Sequence, residues 1–293
     1  RKAPKPFTKA QHVNLSDLSA KDQFQIICYE NNNAAFFADT VVLVEGDSDY
    51  LVLPHIAKTL NPDWNIAQTP VLFSRITGKG NIRRYRGFFK QFEVRVPVIA
   101  DLDLLINGFD NIEPDVNLKA ARDKLLSKVD ELINADSSDP TAKEAKDAHE
   151  SGELRRLWRI VRECEKKVEN GTCSQADLDA AVEEFFAWQR KPQRLNILKS
   201  STDGHLIQLK RQLLQMLRNV DIYILERGAI EDYYPDNIVD ADKPTKARDF
   251  CAKVTTRDAI LACCGEQIVD IDGKQTPCKE FDLIFRGIFN NNS

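Results

Sequence analysis

The sequence predicts an α/β domain, a parallel sheet flanked by helices, with an α-helical insertion. Two observations predict the sheet. Short apolar runs recur at 41–44, 70–73, 96–100 and 220–225, and the first three are separated by turn residues and helix-period segments. A third observation predicts the insertion: from about Asp115 to Leu217 the chain reads only as charged, amphipathic helices, with no strand-like run.

Taken in order, a Pro/Lys-rich lead at 1–36 precedes the run Val41-Val-Leu-Val44, which meets Glu45-Gly46 and then Leu51, Leu53, Ile56 and Leu60 at helical spacing. That is a buried strand, a tight turn and a helix. The second strand, near Pro70 to Phe73, leads through Gly78-Lys-Gly-Asn81 into a helix ending near Phe89, and the third run, Val96-Pro-Val-Ile-Ala100, stops at Asp101. In the insertion, Leu118, Ala121, Leu125, Val129 and Leu132 form one apolar stripe. Leu154, Leu157, Val161, Cys164 and Val168 form a second, in steps of three and four that suit helix pairing. Ser174 with Asp177 resembles a capping box for a partner helix carrying Leu178, Val182, Phe185 and Phe186, and a further helix spans His205 to Leu217. The expected organisation is therefore a lead at 1–36, a first sheet part at 37–114, the insertion at 115–217, and a second sheet part with closing helices at 218–293.

Composition narrows the function classes. The chain has 293 residues, 42% of them apolar, enough for a sizeable core; a net charge of −4 argues against a wholly basic nucleic-acid coat but permits a local basic groove. Seven cysteines, an odd number with no CxxC pair, suit neither a disulfide framework nor a zinc site, and they lead to the expectation of a reducing cytoplasm. No run reaches the roughly 20 apolar residues of a membrane span, and the first residues lack a signal-peptide core. The missing initiator methionine leads to the expectation that the chain is part of something longer.

The chemistry-bearing residues stand at strand ends. Glu45 follows the first strand, Gly46 lets the chain turn, Ser48 is expected to cap the next helix, and Asp49 falls in its first turn. Asp101 and Asp103 end the third strand, two residues apart and so able to face one side. Strand C-termini are where open α/β sheets bind ligands. Carboxylates gathered there repel one another unless a cation neutralises them, and hard oxygen donors favour magnesium, manganese or calcium over zinc.

A strand ending in Glu-Gly followed by one ending in Asp-Leu-Asp resembles the Toprim domain. The ordered set of Val41 to Tyr50 (VVLVEGDSDY), Gly78-Lys79-Gly80-Asn81, Val96 to Asp103 (VPVIADLD) and Arg227 to Pro235 (RGAIEDYYP) more closely resembles the Toprim region of OLD-family (overcoming lysogenization defect) nucleases. The resemblance implies a Toprim-like fold, cleavage of DNA phosphodiesters, and Glu45, Asp49, Asp101 and Asp103 as ligands of Mg2+ or Mn2+, with Ca2+ a candidate for binding without turnover. It implies a further carboxylate from the fourth strand's exit, where Glu231 is preferred and Glu226 is a rival. It also implies a lysine near the scissile phosphate, for which Lys243 and Lys246 are both candidates. Family members carry an N-terminal ABC-type ATPase; this chain has no GxxxxGK[ST] loop and so resembles the nuclease part alone. Two cations per site would serve an in-line displacement.

Lys79, in its glycine-flanked turn, and the cluster Arg83, Arg84 and Arg86 around Tyr85 are the candidate contacts to nucleic acid. His55 and His205 lack metal-ligand neighbours and read as structural, and Tyr85, Tyr233 and Tyr234 read as packing and hydrogen-bonding residues rather than topoisomerase nucleophiles. Two rivals stand beside the nuclease. Asp101-Leu-Asp103 also resembles the nucleophile motif of haloacid-dehalogenase-like phosphatases, although Leu105 departs from it and Glu45-Gly46 is left unexplained. The helical insertion also allows a non-catalytic interaction or dimerisation module.

Overall fold

The computed structural model describes residues 37–135, 152–187, 190–238, 242–271 and 274–289. The lead at 1–36, with Cys28, and most of the polar gap after the insertion's first helix lie outside them.

Strand β1 (Thr40–Val44) is buried along its whole length, as an apolar run flanked by strands on both sides should be. It pairs in parallel with β2 (Val71–Arg75), Thr40 opposite Val71 and Val44 opposite Arg75. On its other side it meets β3 (Val98–Ala100) through Leu43 and Val98, and β3 pairs with β4 (Ile222–Ile224). The order β2-β1-β3-β4 reverses direction between β1 and β3. That reversal is a topological switch point, the position at which a doubly wound sheet opens a crevice at its strand ends.

Helix α1 (Asp47–Leu60) crosses from β1 toward β2, and α2 (Ile82–Lys90) returns toward β3. The α1 side chains Val52, Leu53, Ile56, Ala57 and Leu60 join a buried cluster with Ala247 and Phe250 of α8 (Lys243–Lys253), Ile260 of α9 (Arg257–Cys263), and Phe281, Ile284, Phe285 and Ile288 of α10 (Glu280–Phe289). Aromatic residues dominate its far end, where Trp64 stacks on Phe289 with ring centroids 5.9 Å apart. His55 turns its Nε2 to the Val254 carbonyl oxygen at 2.7 Å and its ring edge to Phe250.

The chain divides into two compact units: the described residues up to Leu118 and from Arg211 onward form one, and 119–210 the other. The division falls inside α3 (Val116–Ala135) and α7 (Gly204–Arg218) rather than at 115 and 217, since each of these helices runs on without a break. Within the second unit, α4 (Glu153–Glu169) and α5 (Gln175–Ala187) form a helical pair that buries Leu157 and Val161 and sets Trp158 against Phe185. The turn between them closes as a capping box, with Ser174 N–H and Asp177 N–H each bonded to the other residue's side chain. Arg194, on α6 (Arg190–Ser200), makes a two-pronged contact to Asp130 at 2.8 and 2.7 Å.

Two elements stand where the sequence pattern marks none, and one expectation is corrected. Helix α6 lies in a stretch to which the sequence pattern assigns no element; Pro192 falls in its first turn, where the missing N–H costs nothing. An antiparallel hairpin of β5 (Glu266–Ile271) and β6 (Lys274–Lys279) stands between α9 and α10, in the stretch expected to hold a second sheet part with closing helices. Asp272-Gly273 between its strands is the sequence signal for such a turn. Ser48 does not cap α1: Gly46 is the N-cap residue, and its N–H is satisfied by the Asp49 carboxylate at 2.9 Å.

Candidate metal centre

The crevice at the switch point is built by four chain segments. Glu45 leaves β1 at the turn into α1, and its carbonyl accepts the N–H of Gly78 at 3.1 Å. That bond ties the Lys79 turn to the end of β1. Thr77 and Gly78 both adopt positive φ, 53° and 102°, to bring the chain round. The Lys79 ammonium then reaches Asp103 at 2.5 Å, and its stem passes over Gly108, where an added Cβ would lie 3.0 Å from Lys79 Cδ. Gly108 has φ 97°, so this position needs glycine both for its backbone and for the space above it.

Asp101 and Asp103 follow β3, Asp103 in a short 3-10 turn (Leu102–Leu105). The Leu102 N–H bonds to the Gly228 carbonyl at 2.9 Å, joining this segment to the loop leaving β4. That loop ends in a second 3-10 turn, Ile230–Tyr233, which carries Glu231; Asp232 accepts the Ala229 N–H at 2.8 Å and caps it.

Electrostatics ties these residues together. Burial pushes the Glu45 carboxyl up to about 7; Lys79 pulls it down, while Asp103 and Asp49 push it up. Burial raises Asp49 to about 6, opposed by the Gly46 N–H and reinforced by Glu231, with Lys243 acting the other way. Asp101 rises furthest, to about 8, through burial and then repulsion from Asp49, Glu45, Asp103 and Glu231. Asp101 thus feels all four other carboxylates, which defines a centre short of positive charge.

The expected residues separate on this geometry. Glu231 belongs to the group, and its Oε1 lies 3.3 Å from Lys243 Nζ. Glu226, by contrast, has its N–H bound to Glu280, and its charge acts on Arg218 and Tyr233. Lys246 lies one turn along α8, and no ion pair joins it to the carboxylates among the described residues. Of the basic cluster, Arg83 pairs with Glu113 at 2.9 Å and Arg84 is exposed. Arg86 is a correction: it is buried and donates to the carbonyls of Ile112 and Val220, so it holds the fold and cannot reach a nucleic acid.

The donor set fits a hard divalent cation in its chemistry. The oxygens are all carboxylate, and Glu45 Oε1 is buried with no hydrogen-bond partner, a cost that a cation would relieve. Among the described residues no three His, Cys, Asp or Glu side chains are drawn tightly enough together to form a ready cage.

Residues 36–103 match the family described as overcoming lysogenization defect protein-like, TOPRIM domain. The match spans strands β1 to β3. The fold is accordingly a Toprim-like parallel sheet flanked by helices, and Glu45, Asp49, Lys79, Asp101 and Asp103 all lie within the matched TOPRIM segment, whereas Glu231 and Lys243 lie beyond it. Two solved structures of the C-terminal region of the Xanthomonas campestris pv. campestris OLD protein are similar at 16% identity with TM-scores of 0.34 and 0.33. They cover 88% and 87% of this chain and 95% and 96% of theirs. No curated protein matches the sequence. Among the described residues no helix is long and apolar enough to cross a membrane.

Sequence reasoning missed Gly108 and Glu280. Gly108 sits in no motif, and its role follows only from the path of the Lys79 stem. Glu280 opens α10, far along the chain from the Glu226 N–H and the Tyr233 hydroxyl that it accepts, and nothing in Lys279-Glu-Phe-Asp282 marks it.

Proposed function

We propose that this chain is the catalytic part of a metal-dependent nuclease that hydrolyses DNA phosphodiesters, working in the full-length protein beside an N-terminal ABC-type ATPase. The observation that carries the proposal is the convergence of Glu45 and Asp101 on adjacent strands at the switch point of a TOPRIM sheet, with Asp49, Asp103 and Glu231 within electrostatic reach. Glu45, Asp49, Asp101, Asp103 and Glu231 would hold Mg2+ or Mn2+, with two ions per site the expected complement. Bound there, the ions supply charge neutralisation at the phosphate and a lowered pKa for water.

The chain's own residues do the rest. Glu45, with its unpartnered Oε1, orients the attacking water and accepts its proton. Lys79 is held at the centre by Asp103 and presents positive charge where the phosphate's negative charge grows, and Lys243 beside Glu231 offers a second such charge. Arg83 and Arg84, on the exposed side of α2, are the remaining contacts to the DNA backbone.

Supercoiled plasmid incubated with the chain and Mg2+ or Mn2+ should give nicked and linear product. EDTA should abolish the reaction, and Glu45→Ala or Asp101→Ala should slow it by roughly 100-fold or more. Untouched plasmid together with turnover of a phosphomonoester would overturn the nuclease reading in favour of a phosphatase.

A further inference from the structure

We propose that Glu280 is a positioning residue that fixes Glu231 at the metal centre, by closing the loop between β4 and the Ile230–Tyr233 turn into a rigid strap. The inference rests on the nuclease reading insofar as that reading makes Glu231 a metal ligand.

Glu280 is fully buried, and a buried carboxylate persists only where donors converge on it. Its Oε1 accepts the Glu226 N–H at 2.8 Å and the Tyr233 hydroxyl at 2.6 Å. The first donor lies just after β4 and the second in the turn that carries Glu231, so one oxygen holds both ends of the loop. The tyrosine closes a smaller ring inside this one, since its oxygen accepts the Arg227 N–H at 3.1 Å. The Arg227 guanidinium lies over the same ring, 5.7 Å from its centre. From outside, the Gly228 carbonyl accepts the Leu102 N–H between Asp101 and Asp103. The strap therefore locks Glu231 to the β3 carboxylates as well as to α10. Glu280 meets the strap through the Glu226 N–H and the Tyr233 hydroxyl, and its proposed effect on the centre passes through these two bonds.

Isothermal titration of the intact chain with MnCl2 tests this, with thermal melting and circular dichroism as controls. Glu280→Ala and Tyr233→Phe should weaken Mn2+ binding by about 10-fold or more, the usual effect of losing a ligand's support. Glu280→Gln keeps an acceptor oxygen in place and should stay within about threefold. In a Glu231→Gln background, Tyr233→Phe should add little further loss, because the residue it positions is already changed. A role confined to stability would lower the melting temperature in both backgrounds and leave Mn2+ affinity alone. Tyr233→Phe preserves shape and decides the matter if Glu280→Ala does not fold. Wild-type chain that binds no Mn2+ would overturn the nuclease reading and this inference together. Wild-type binding that the folded Tyr233→Phe variant matches would overturn this inference alone.

Discussion

Glu45, Asp49 and Asp101 all have carboxyl groups held above their ordinary range, at about 7, 6 and 8, and the direction of those shifts sets a pH dependence. A group whose folded pKa exceeds its unfolded value binds more protons when folded, so stability falls as pH rises between the two values. The metal-free chain should therefore melt lower at pH 8 than at pH 5. A fall of roughly 5 °C corresponds to only one or two kcal/mol in a unit of this size. Mn2+ should remove most of the difference, because it favours the ionised carboxylates; an equal Mn2+ shift at both pH values in differential scanning calorimetry would contradict the charge assignment. Gly108→Ala makes a second residue-scale test. The new methyl group meets the Lys79 stem at a positive φ, so the variant should lose about 1–2 kcal/mol in denaturant unfolding and should also weaken plasmid cleavage. At this scale the sequence was readable for placement, as for Glu45 and Asp101, which do stand at the ends of β1 and β3. It was unreadable where the role depends on what crosses above or beneath, as for Gly108, Glu280 and Arg86.

Among the elements, the apolar runs gave β1 through β4 in their correct order, because a buried parallel strand leaves a continuous hydrophobic signature. The β5–β6 hairpin left no such mark: Glu266, Asp270, Lys274 and Lys279 interrupt it, and the Asp-Gly pair was its one cue. The two sheets should also behave differently. The amides of Val41 and Leu43 donate to Arg95 and Pro97 at 2.8 Å in the middle of a four-stranded sheet. Among the described residues the hairpin has two strands and no further partner strand. Hydrogen exchange followed by mass spectrometry or NMR should find the β1 amides protected to near the global unfolding limit and the hairpin opening at much lower cost. Comparable protection in both would show that the hairpin is held more firmly than its pairing implies. Thr256, whose hydroxyl oxygen accepts the Ala259 N–H at the start of α9, should cost about 1 kcal/mol on replacement by alanine.

For the molecule as a whole, ligand linkage gives the simplest check on the metal centre. An ion that binds only the folded state raises stability by about 2.7 kcal/mol at a concentration 100 times its dissociation constant. Saturating Mg2+ or Mn2+ should lift the melting transition of the sheet unit, and Glu45→Ala with Asp101→Ala should abolish that lift. Survival of the full shift in the double variant would move the ion elsewhere. Composition leads to a division into a sheet part and a helical part, since a hundred residues of helix-period sequence cannot be threaded into a short sheet connection, and the structure divides at 119–210. Its seams were not legible, because α3 and α7 continue through them.

The strap on β4's exit has a consequence for the order in which the molecule matures. Glu45, Asp101 and Asp103 are synthesised early, Glu231 only after the whole helical unit, and Glu280 later still. A chain emerging from the ribosome thus carries its first carboxylates while the oxygen that fastens Glu231 has yet to be made. On the proposed reading, a chain cut short before Glu280 would carry Glu231 without the oxygen that fastens it, and its Mn2+ binding would be weaker than that of the intact chain.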